Sequence, residues 1–284
     1  MFRRLGLIIG NTLTALTVTA FAAAPAVPAP RPIAVAHRGA SAYAPENTIA
    51  AFELAREQHA DMFELDVQET KDHEPIVMHD TTLARTTDAE RVFPGRSPWR
   101  VGDFTLAEIR RLDAGSWFSS KYRGERVPTL EETLRAMDGD GPGLLLEVKA
   151  PNLYPGVESR VADVLRRTPS WLAPGRLVVQ SFDWESMRSF HRILPQVPIG
   201  LLGTPAVARL PELAGFATQI NPPYGDVTAD YVRRVHDNRM DVLAWTVDSP
   251  DTMRRLISSG VDGVITNKPD VAYAVVHSAQ RRAA

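Results

Sequence analysis

The chain has 284 residues, of which 44% are hydrophobic, so it is long enough to bury at least one substantial core. Its formal net charge of -2 at neutral pH gives no electrostatic reason to expect a nucleic-acid partner. It contains no cysteine, which excludes a disulfide framework, a thiol nucleophile and membrane attachment through a lipid-modified cysteine.

The amino terminus has the pattern of an export signal. Arg3 and Arg4 precede an apolar run that ends near residue 24 in small residues, and four prolines follow between 25 and 32. We expect residues 1–24 to be a cleaved signal peptide and 25–32 to be a linker, which predicts a secreted or periplasmic protein. The alternative is an uncleaved membrane anchor, since the run is about long enough to span a bilayer.

Two acidic residues lie two positions apart on a predicted strand, Met62–Val67. Side chains alternate along a strand, so Glu64 and Asp66 project from the same face. Two carboxylates on one face of an otherwise apolar strand repel each other and are unfavourable to bury. A divalent cation would remove that penalty, because Mg²⁺ and Ca²⁺ bind oxygen ligands. The pair therefore predicts a metal site.

Two histidines end apolar runs on either side of this acidic pair. His37 follows residues 33–36, and His79 follows residues 75–78. Only Thr70–Glu74 separate the second run from the acidic strand, which is too short for a crossover between parallel strands. We therefore expect residues 75–79 to fold back as a hairpin and to return His79 toward the acidic pair.

Strand-like runs alternate with helical patterns after residue 32. The eight predicted strands are Ile33–His37, Met62–Val67, Gly143–Lys149, Leu177–Ser181, Pro198–Leu202, Ala217–Asn221, Val242–Val247 and Gly263–Thr266. The predicted helices are near Glu46–Gln58, Leu130–Met137, Gly156–Arg167, Trp184–His191, Ala206–Leu213, Ala229–Asn238, Pro250–Ser258 and Asp270–Ser278. Such alternation predicts an α/β fold, and eight units predict one closed (β/α)8 TIM barrel over residues 33–284.

The alternation lapses between about residues 85 and 128, which are rich in turns and aromatic residues. We expect a small insertion over the C-terminal mouth of the barrel. It is either a substrate-facing lid or a structural subdomain with its own core. For Trp99, Trp117 and Phe118 individually, we favour a place in such a core.

Several spaced motifs occur in one order along the chain. They are His37-Arg38-Gly39, Pro45-Glu46-Asn47-Thr48, Glu64-Leu65-Asp66-Val67, Thr70-Lys71-Asp72, His79-Asp80, Arg85-Thr86-Thr87, Glu147-Val148-Lys149, Trp245-Thr246-Val247 and Gly260-Val261-Asp262-Gly263 with Thr266. This set resembles the signature of the glycerophosphodiester phosphodiesterase family, over nearly all of the chain after residue 32. Three departures are His59 and His73 in place of glycines, and Asn267-Lys268-Pro269 in place of a Thr-Asp-Arg-Pro ending.

The resemblance implies metal-dependent hydrolysis of glycerophosphodiesters to glycerol 3-phosphate and an alcohol, with one divalent cation, Ca²⁺ or Mg²⁺. Glu147 would join Glu64 and Asp66 as the third metal ligand. Lys149, two positions on, could reach a phosphate oxygen. The alternative for these two is a buried Glu–Lys ion pair with no metal.

Further side chains are candidates for substrate binding or catalysis. Arg38 suits a phosphate because its planar guanidinium offers paired donors, although it could instead form a salt bridge with Glu46. Glu46 itself is expected to support its neighbours and not to bind the metal. Trp245 could pack against the carbon skeleton of glycerol or belong to the barrel core. His37 and His79 are the candidate catalytic acid and base, and the sequence does not decide which is which. Nor does it decide whether water attacks directly or a cyclic phosphate forms first.

Two alternative functions stay open. A phosphodiesterase similar to lysophospholipase D would use the same chemistry on lysophospholipids, and a wide apolar groove in the insertion would favour it. A non-catalytic barrel that binds a phosphate ligand would not require paired proton donors. The expected partner is a small-molecule glycerophosphodiester, with transient contact with lipid, and no protein partner is inferred.

Overall fold

The computed structural model describes residues 31–283, with side chains as far as residue 278. The predicted signal peptide, 1–24, and residues 25–30 of the predicted linker lie outside the described residues. The strands of the described part are β1 Ile33–Ala36, β2 Met62–Glu69, β3 Pro75–Val77, β4 Gly143–Val148, β5 Leu177–Ser181, β6 Ile199–Leu202, β7 Gln219–Asn221, β8 Asp241–Ala244 and β9 Gly263–Thr266. Its helices are α1 Ile49–Glu57, α2 Ala89–Val92, α3 Leu106–Ile109, α4 Leu130–Ala136, α5 Val157–Arg167, α6 Trp184–Ile193, α7 Leu210–Leu213, α8 Ala229–His236, α9 Pro250–Ser258 and α10 Pro269–Ala283.

Eight of these strands close into a parallel barrel. The order of hydrogen-bonded neighbours is β1-β9-β8-β7-β6-β5-β4-β2, and β2 pairs with β1 to complete the ring. The closing pair, β1 and β9, runs in parallel register from Ile33 opposite Gly263 to Ala36 opposite Thr266. The predicted (β/α)8 TIM barrel is confirmed.

The one described strand outside this ring, β3, forms the predicted hairpin. It pairs antiparallel with the end of β2, with Val67 opposite Val77 and Glu69 opposite Pro75. The backbone N–H of Met78 then donates to the carbonyl of Asp66 at 2.9 Å. The short connection therefore carries the next residue, His79, back toward the acidic strand.

The interior of the barrel is layered, which decides where the acidic side chains lie. A buried cluster of Val35, Met62, Leu145, Val178, Leu243 and Ile265 fills its lower part. Because every second residue of a strand shares a face, Glu64 and Asp66 lie above Met62, and Glu147 lies above Leu145. A side chain on Gly200 would bring its Cβ to 2.9 Å from Nδ2 of Asn221, so glycine leaves room for this polar layer.

The region after β3 has a hydrophobic core of its own. Buried side chains of Ile76, Leu83, Phe104, Ile109 and Leu112 are part of this cluster. Trp99 packs against it half-buried, as expected for a structural subdomain. Trp117 is 40% exposed, so its assignment to the core is wrong. Its ring instead meets Phe118 edge-on at 5.7 Å on the surface.

Two helices begin three or four residues later than predicted. Helix α1 begins at Ile49, with Thr48 as its N-cap, because Asn47 turns away from helical geometry at φ +59° and binds Asp66. The predicted helix over residues 206–213 is a 3₁₀ turn, Val207–Arg209, followed by the short α7. Within the described residues, no helix is long and apolar enough to cross a membrane.

Candidate active site

Three buried carboxylates meet at the carboxyl ends of two neighbouring strands. Glu64 and Asp66 lie on β2 and Glu147 on β4, where Asp66 is directly opposite Glu147 in the parallel register. One oxygen from each of the three residues lies within 4.8 Å of the others. The structure therefore brings together all three of the predicted metal ligands.

The donor set fits a divalent cation. Oδ1 of Asp66 is buried and accepts no hydrogen bond in the described structure, while its other oxygen accepts from Nδ2 of Asn47 at 2.8 Å. A buried carboxylate oxygen without a donor is unfavourable unless a cation takes that place. Three carboxylates are also the hard oxygen ligands that Ca²⁺ and Mg²⁺ bind. The three residues could hold either ion.

The charges of the triad are not balanced by the protein alone. Burial, together with the charges of Asp66 and Glu147, raises the pKa of Glu64 well above its ordinary value. Burial and the charge of Asp66 raise the pKa of Glu147 to about 7. Burial would also raise the pKa of Asp66, but the charges of Arg38 and Lys149 hold it below its ordinary value. A bound cation would favour the charged form of all three.

Arg38 lies against this triad and also forms the salt bridge that the sequence left as its alternative role. Its backbone N–H donates to Oε2 of Glu64 at 2.8 Å, and its guanidinium lies 3.0 Å from Glu46 and 3.4 Å from Asp66. Its backbone is left-handed, at φ +56°. Arg38 is therefore held in place at the edge of the triad by its own main chain and by two carboxylates.

Lys149 follows β4 and lies beside the carboxylates of the neighbouring strands. Its Nζ is 2.8 Å from Oε1 of Glu147 and 3.7 Å from Oδ1 of Asp66. The Glu–Lys ion pair that the sequence left open is present in the described structure. It shares space with the acidic triad, so the ion pair and a metal site are not mutually exclusive.

His37 is held through its Nδ1 by a neutral amide. Nδ1 lies 2.8 Å from Oδ1 of Asn267, and Nδ2 of Asn267 donates to Asp248 at 2.7 Å. That second bond fixes which end of the amide faces the ring, so Nδ1 carries the hydrogen and Nε2 keeps a free lone pair. Burial and the charge of Arg38 lower the pKa of His37 to about 4. At neutral pH His37 is a proton acceptor.

His79 is held through its Nδ1 by a carboxylate. Nδ1 donates to Oδ1 of Asp80 at 2.7 Å, and Arg85 donates to the same carboxylate from Nε at 2.7 Å and from a terminal nitrogen at 3.0 Å. The hydrogen bonds from Arg85 lower the pKa of Asp80 to about 2, so it stays ionised. This ionised carboxylate accepts the hydrogen of Nδ1 and so fixes the orientation of the His79 ring.

Glu46 connects Arg38 with Arg85. Its carboxylate accepts from Arg38 at 3.0 Å and from both terminal nitrogens of Arg85 at 2.7 Å and 2.8 Å. The predicted supporting role of Glu46 agrees with this geometry. Its second partner, Arg85, begins the Arg85-Thr86-Thr87 motif, to which the sequence assigned no contact.

The two histidines open into one cavity of about 140 Å³. The described residues that line it include all of the candidate groups except Asp66: His37, Arg38, Glu64, His79, Glu147, Lys149 and Trp245. Trp245 follows β8, donates from Nε1 to the carbonyl of Asn221 at 2.6 Å and meets Phe182 edge-on at 5.6 Å. It therefore forms an apolar wall of the cavity and also packs, half-buried, against the cluster inside the barrel.

The insertion does not line this cavity. Its described wall contains no residue from 85–128, and the neighbouring open groove of about 590 Å³ is lined instead by residues 147–152, 181–185 and Arg209. A substrate-facing lid therefore stays a prediction.

Sequence reasoning missed the side chains that orient the histidines. Asn267 lies 230 positions from His37, and no local pattern connects them. The one signal was that Asn267 departs from the family's usual ending. Asp80 is the neighbour of His79 in the sequence, and its role could have been inferred from that adjacency.

Comparisons with known proteins agree with this geometry. Residues 37–271 match the model of the "Glycerophosphoryl diester phosphodiesterase family". The chain is 38% identical to a glycerophosphodiester phosphodiesterase of Bacillus subtilis, over 86% of each chain. It is also 38% identical to one from Caldanaerobacter subterraneus, over 86% of this chain and 97% of the relative.

A solved structure is similar throughout. It is a phosphodiesterase of Oleispira antarctica in complex with the product sn-glycerol-3-phosphate, at 29% identity and a TM-score of 0.78. The match covers 87% of this chain and 97% of that one. The motifs, the barrel and these relatives agree, and the chain belongs to the glycerophosphoryl diester phosphodiesterase family, whose enzymes hydrolyse glycerophosphodiesters.

Proposed function

We propose that this enzyme hydrolyses glycerophosphodiesters to glycerol 3-phosphate and an alcohol, with a divalent cation at Glu64, Asp66 and Glu147 and with His37 and His79 as base and acid. The observation that carries the proposal is that both histidines open into the same cavity as the acidic triad. A barrel that only binds a phosphate ligand would not need two proton-transfer groups with differently arranged partners.

Substrate binding is assigned to the two cations at the edge of the triad. Arg38 and Lys149 line the cavity and would hold the nonbridging oxygens of the phosphodiester. Each is already paired with carboxylates, so each is held in position before the substrate arrives. Trp245 would pack against the carbon skeleton of the glycerol. A bound cation supplies positive charge that stabilises the developing charge on the phosphoryl group.

The proton transfers follow from the partners of the two rings. Nε2 of neutral His37 would take the proton of the attacking hydroxyl, whether that hydroxyl belongs to water or to the substrate's own glycerol. His79, oriented by its hydrogen bond to Asp80, would give a proton to the departing alkoxide. The phosphodiester would then lie between the rings, with attacking and leaving oxygens roughly in line.

The size of the cavity favours glycerophosphodiesters over lysophospholipids. It holds about 140 Å³, and the described insertion adds no wide apolar groove to it. A fatty acyl chain would have to lie along the open groove outside. The cavity therefore supports the smaller, polar substrate.

Turnover of two substrates tests the proposal. We expect the chelated enzyme to be inactive, and Ca²⁺ or Mg²⁺ to restore turnover of glycerophosphocholine well above that of lysophosphatidylcholine. Undiminished activity in rigorously metal-free buffer would show that the acidic triad does not act through a metal. Faster turnover of lysophosphatidylcholine would favour the lysophospholipase D-like function.

The amino-terminal pattern supports export to a secreted or periplasmic location. Cleavage after the small residues would leave a mature chain that begins near Ala23 or Pro25. Amino-terminal sequencing of protein recovered outside the cytoplasm tests this. An intact Met1 on membrane-bound protein would instead support the anchor.

A further inference from the structure

The exposed large apolar side chains of the described structure all lie at one end of the barrel. They are Tyr43 after β1, Trp117 in the insertion after β3, Leu153 after β4, Phe182 after β5, Val207 after β6 and Tyr224 after β7, which we call the rim. Loops that follow the strands of a (β/α)8 barrel lie at its C-terminal face. The rim therefore surrounds the entrance to the cavity that holds the two histidines.

Several of the rim residues are connected to neighbouring aromatic residues and are not scattered singly. On one side, Trp117 meets Phe118 at 5.7 Å, Phe118 meets Tyr122 at 5.8 Å, and the Tyr122 hydroxyl donates to the carbonyl of Tyr43 at 3.0 Å. A connected set of exposed apolar groups, unlike single ones, indicates an interaction surface.

The other side of the entrance is built in the same way. Phe182 meets Trp245 at 5.6 Å, and the backbone N–H of Tyr224 donates to the carbonyl of Trp245 at 2.8 Å. Aromatic groups thus continue from the cavity wall out to the surface on this side as well.

Basic side chains accompany the aromatic groups of the rim. Lys121 lies 5.0 Å from the ring of Tyr122, and Arg209 lies 5.2 Å from the ring of Trp184. Lys121 and Arg123 are both exposed. Two nearby acids have partners within the protein, since Glu185 lies 3.7 Å from Arg188 and Asp226 accepts from Thr204 at 2.7 Å.

This composition points to one kind of partner. Tyrosine and tryptophan favour the boundary between water and lipid, and lysine and arginine favour anionic headgroups there. A rigid protein seated on the rim would close the cavity. A fluid lipid surface would instead present headgroups that contain the same glycerophosphodiester chemistry as the proposed substrate. We propose that the rim is an interfacial docking surface for a bilayer that contains anionic phospholipid.

The test uses the full chain and a reporter that belongs to the rim. Vesicles of phosphatidylcholine and phosphatidylglycerol with brominated acyl chains quench only those indoles that reach the acyl region. We expect the tryptophan fluorescence of the wild-type chain to be quenched and Trp117→Phe to lose most of that quenching. Because the reporter is local, binding through the apolar amino-terminal segment alone would not produce this result.

The rim variant combines Leu153→Ser, Val207→Ser and Tyr224→Ser and keeps the Trp117 reporter. We expect its quenching to fall to below about a tenth of the wild-type value, since removal of each apolar side chain weakens partition into the interface. Leu172→Ser, in a half-buried 3₁₀ turn at the opposite end of the barrel, is the matched control and should be quenched like the wild type. Lys121→Glu with Arg123→Glu should lose quenching on the anionic vesicles.

Some results would overturn the docking proposal. They are no quenching of the wild type, equal quenching of the rim variant, or a dimer in vesicle-free sedimentation that the rim variant abolishes. None of these three results depends on turnover, so the proposed function can hold when docking fails. The rim variant should hydrolyse soluble glycerophosphocholine at the wild-type rate, and a loss there would place these residues in the site and count against a separate docking role.

Discussion

The two histidines reach the same cavity from parts of the chain that are held in different ways. His37 leaves the closing strand of the barrel, and its Nδ1 partner is the neutral amide of Asn267. His79 leaves a hairpin, and its Nδ1 partner is the carboxylate of Asp80. The difference is consistent with the opposite proton roles proposed for the two rings. Burial lowers the pKa of His37, which suits it to accept a proton, whereas an ionised carboxylate orients His79.

Removing either ring has the largest expected effect and tests whether the roles differ. We expect His37→Ala and His79→Ala each to lower turnover of glycerophosphocholine by about 10²–10⁴-fold, because each removes a positioned proton-transfer group. With a p-nitrophenolate leaving group, which needs no protonation, His79→Ala should be partly spared and His37→Ala should stay slow. Steady-state kinetics on both substrates measures this difference.

His277→Ala, which alters a histidine far from the cavity, is the control. Near-full activity in both His37→Ala and His79→Ala would show that these two histidines are structural. If His37→Ala were the variant spared on the activated substrate, the acid and base assignments would have to be exchanged.

Removing a proposed metal ligand should lower activity on the two substrates to the same extent. We expect Glu64→Gln to lower divalent-cation affinity by more than about 10²-fold, since changes to groups that only support a ligand already cost 10–100-fold. Activity should fall with it on both substrates, with no sparing. Calorimetric titration with Ca²⁺ and Mg²⁺ measures the affinity, and circular dichroism checks that the fold is intact.

Glu57→Gln, an exposed carboxylate on α1, serves as the matched control for Glu64→Gln. Unchanged calorimetric affinity in Glu64→Gln would remove this residue from the metal site.

Making the two Nδ1 partners alike should sharpen the comparison. Asp80→Asn gives His79 an amide partner like that of His37, and it also weakens the hold of Arg85. We expect a loss of up to about 10²-fold on glycerophosphocholine and little loss on the p-nitrophenyl substrate, because only proton donation is impaired. Asp138→Asn, an exposed change far from the site, is the control, and equal losses on both substrates would contradict the acid role.

The smallest expected effect concerns the insertion that follows the His79 hairpin. Asp113, in the insertion, accepts backbone N–H bonds from Gly115 and Ser116 at 2.8 Å and from Gly124 at 2.9 Å. Burial would raise the pKa of Asp113, but these bonds lower it to about 2. The carboxylate is largely solvated, so we expect Asp113→Asn to reduce the free energy of unfolding by less than about 1 kcal/mol.

The pH dependence of that effect has a definite sign. A depressed folded-state pKa stabilises above the ordinary value of 3.8, and the stabilisation is lost as the pH falls toward about 2. The difference between Asp113→Asn and the wild type should therefore be full at pH 7 and vanish near pH 2, in urea unfolding. Amide exchange should quicken around Gly115 and Gly124 and not around His37. Faster exchange at both histidines would mean that the insertion supports the whole mouth.

Local sequence was sufficient for the barrel and for the acidic pair. Period-two spacing places Glu64 and Asp66 on one face, and the short link before Pro75 leaves only a hairpin. It was not sufficient for the bounds of α1, because Asn47 leaves helical geometry to bind Asp66, a residue 19 positions away. The sequence pattern predicts that the helix begins at residue 46, but Glu46 and Asn47 contact Arg38 and Asp66 instead.

The orienting residues were beyond local pattern for the same reason. Asn267 acts on His37 only because β9 pairs with β1, and Asp248 reaches Asn267 only from the loop after β8. The partners of His79 lie within a few positions of it, at Asp80 and Arg85. What a short segment could reveal was therefore the surroundings of the proposed acid, and not those of the proposed base.

The distance in sequence between His37 and Asn267 also has a consequence for folding. The contacts around His79 close short loops. His37 receives its partner only when the first and last strands of the barrel, β1 and β9, pair, because Asn267 lies 230 positions away. Closing long loops is the entropically slower part of folding, so we expect the proposed base to be assembled late. A chain still being synthesised would then stay inactive until its carboxyl-terminal strand docks, and the first turnover would mark barrel closure.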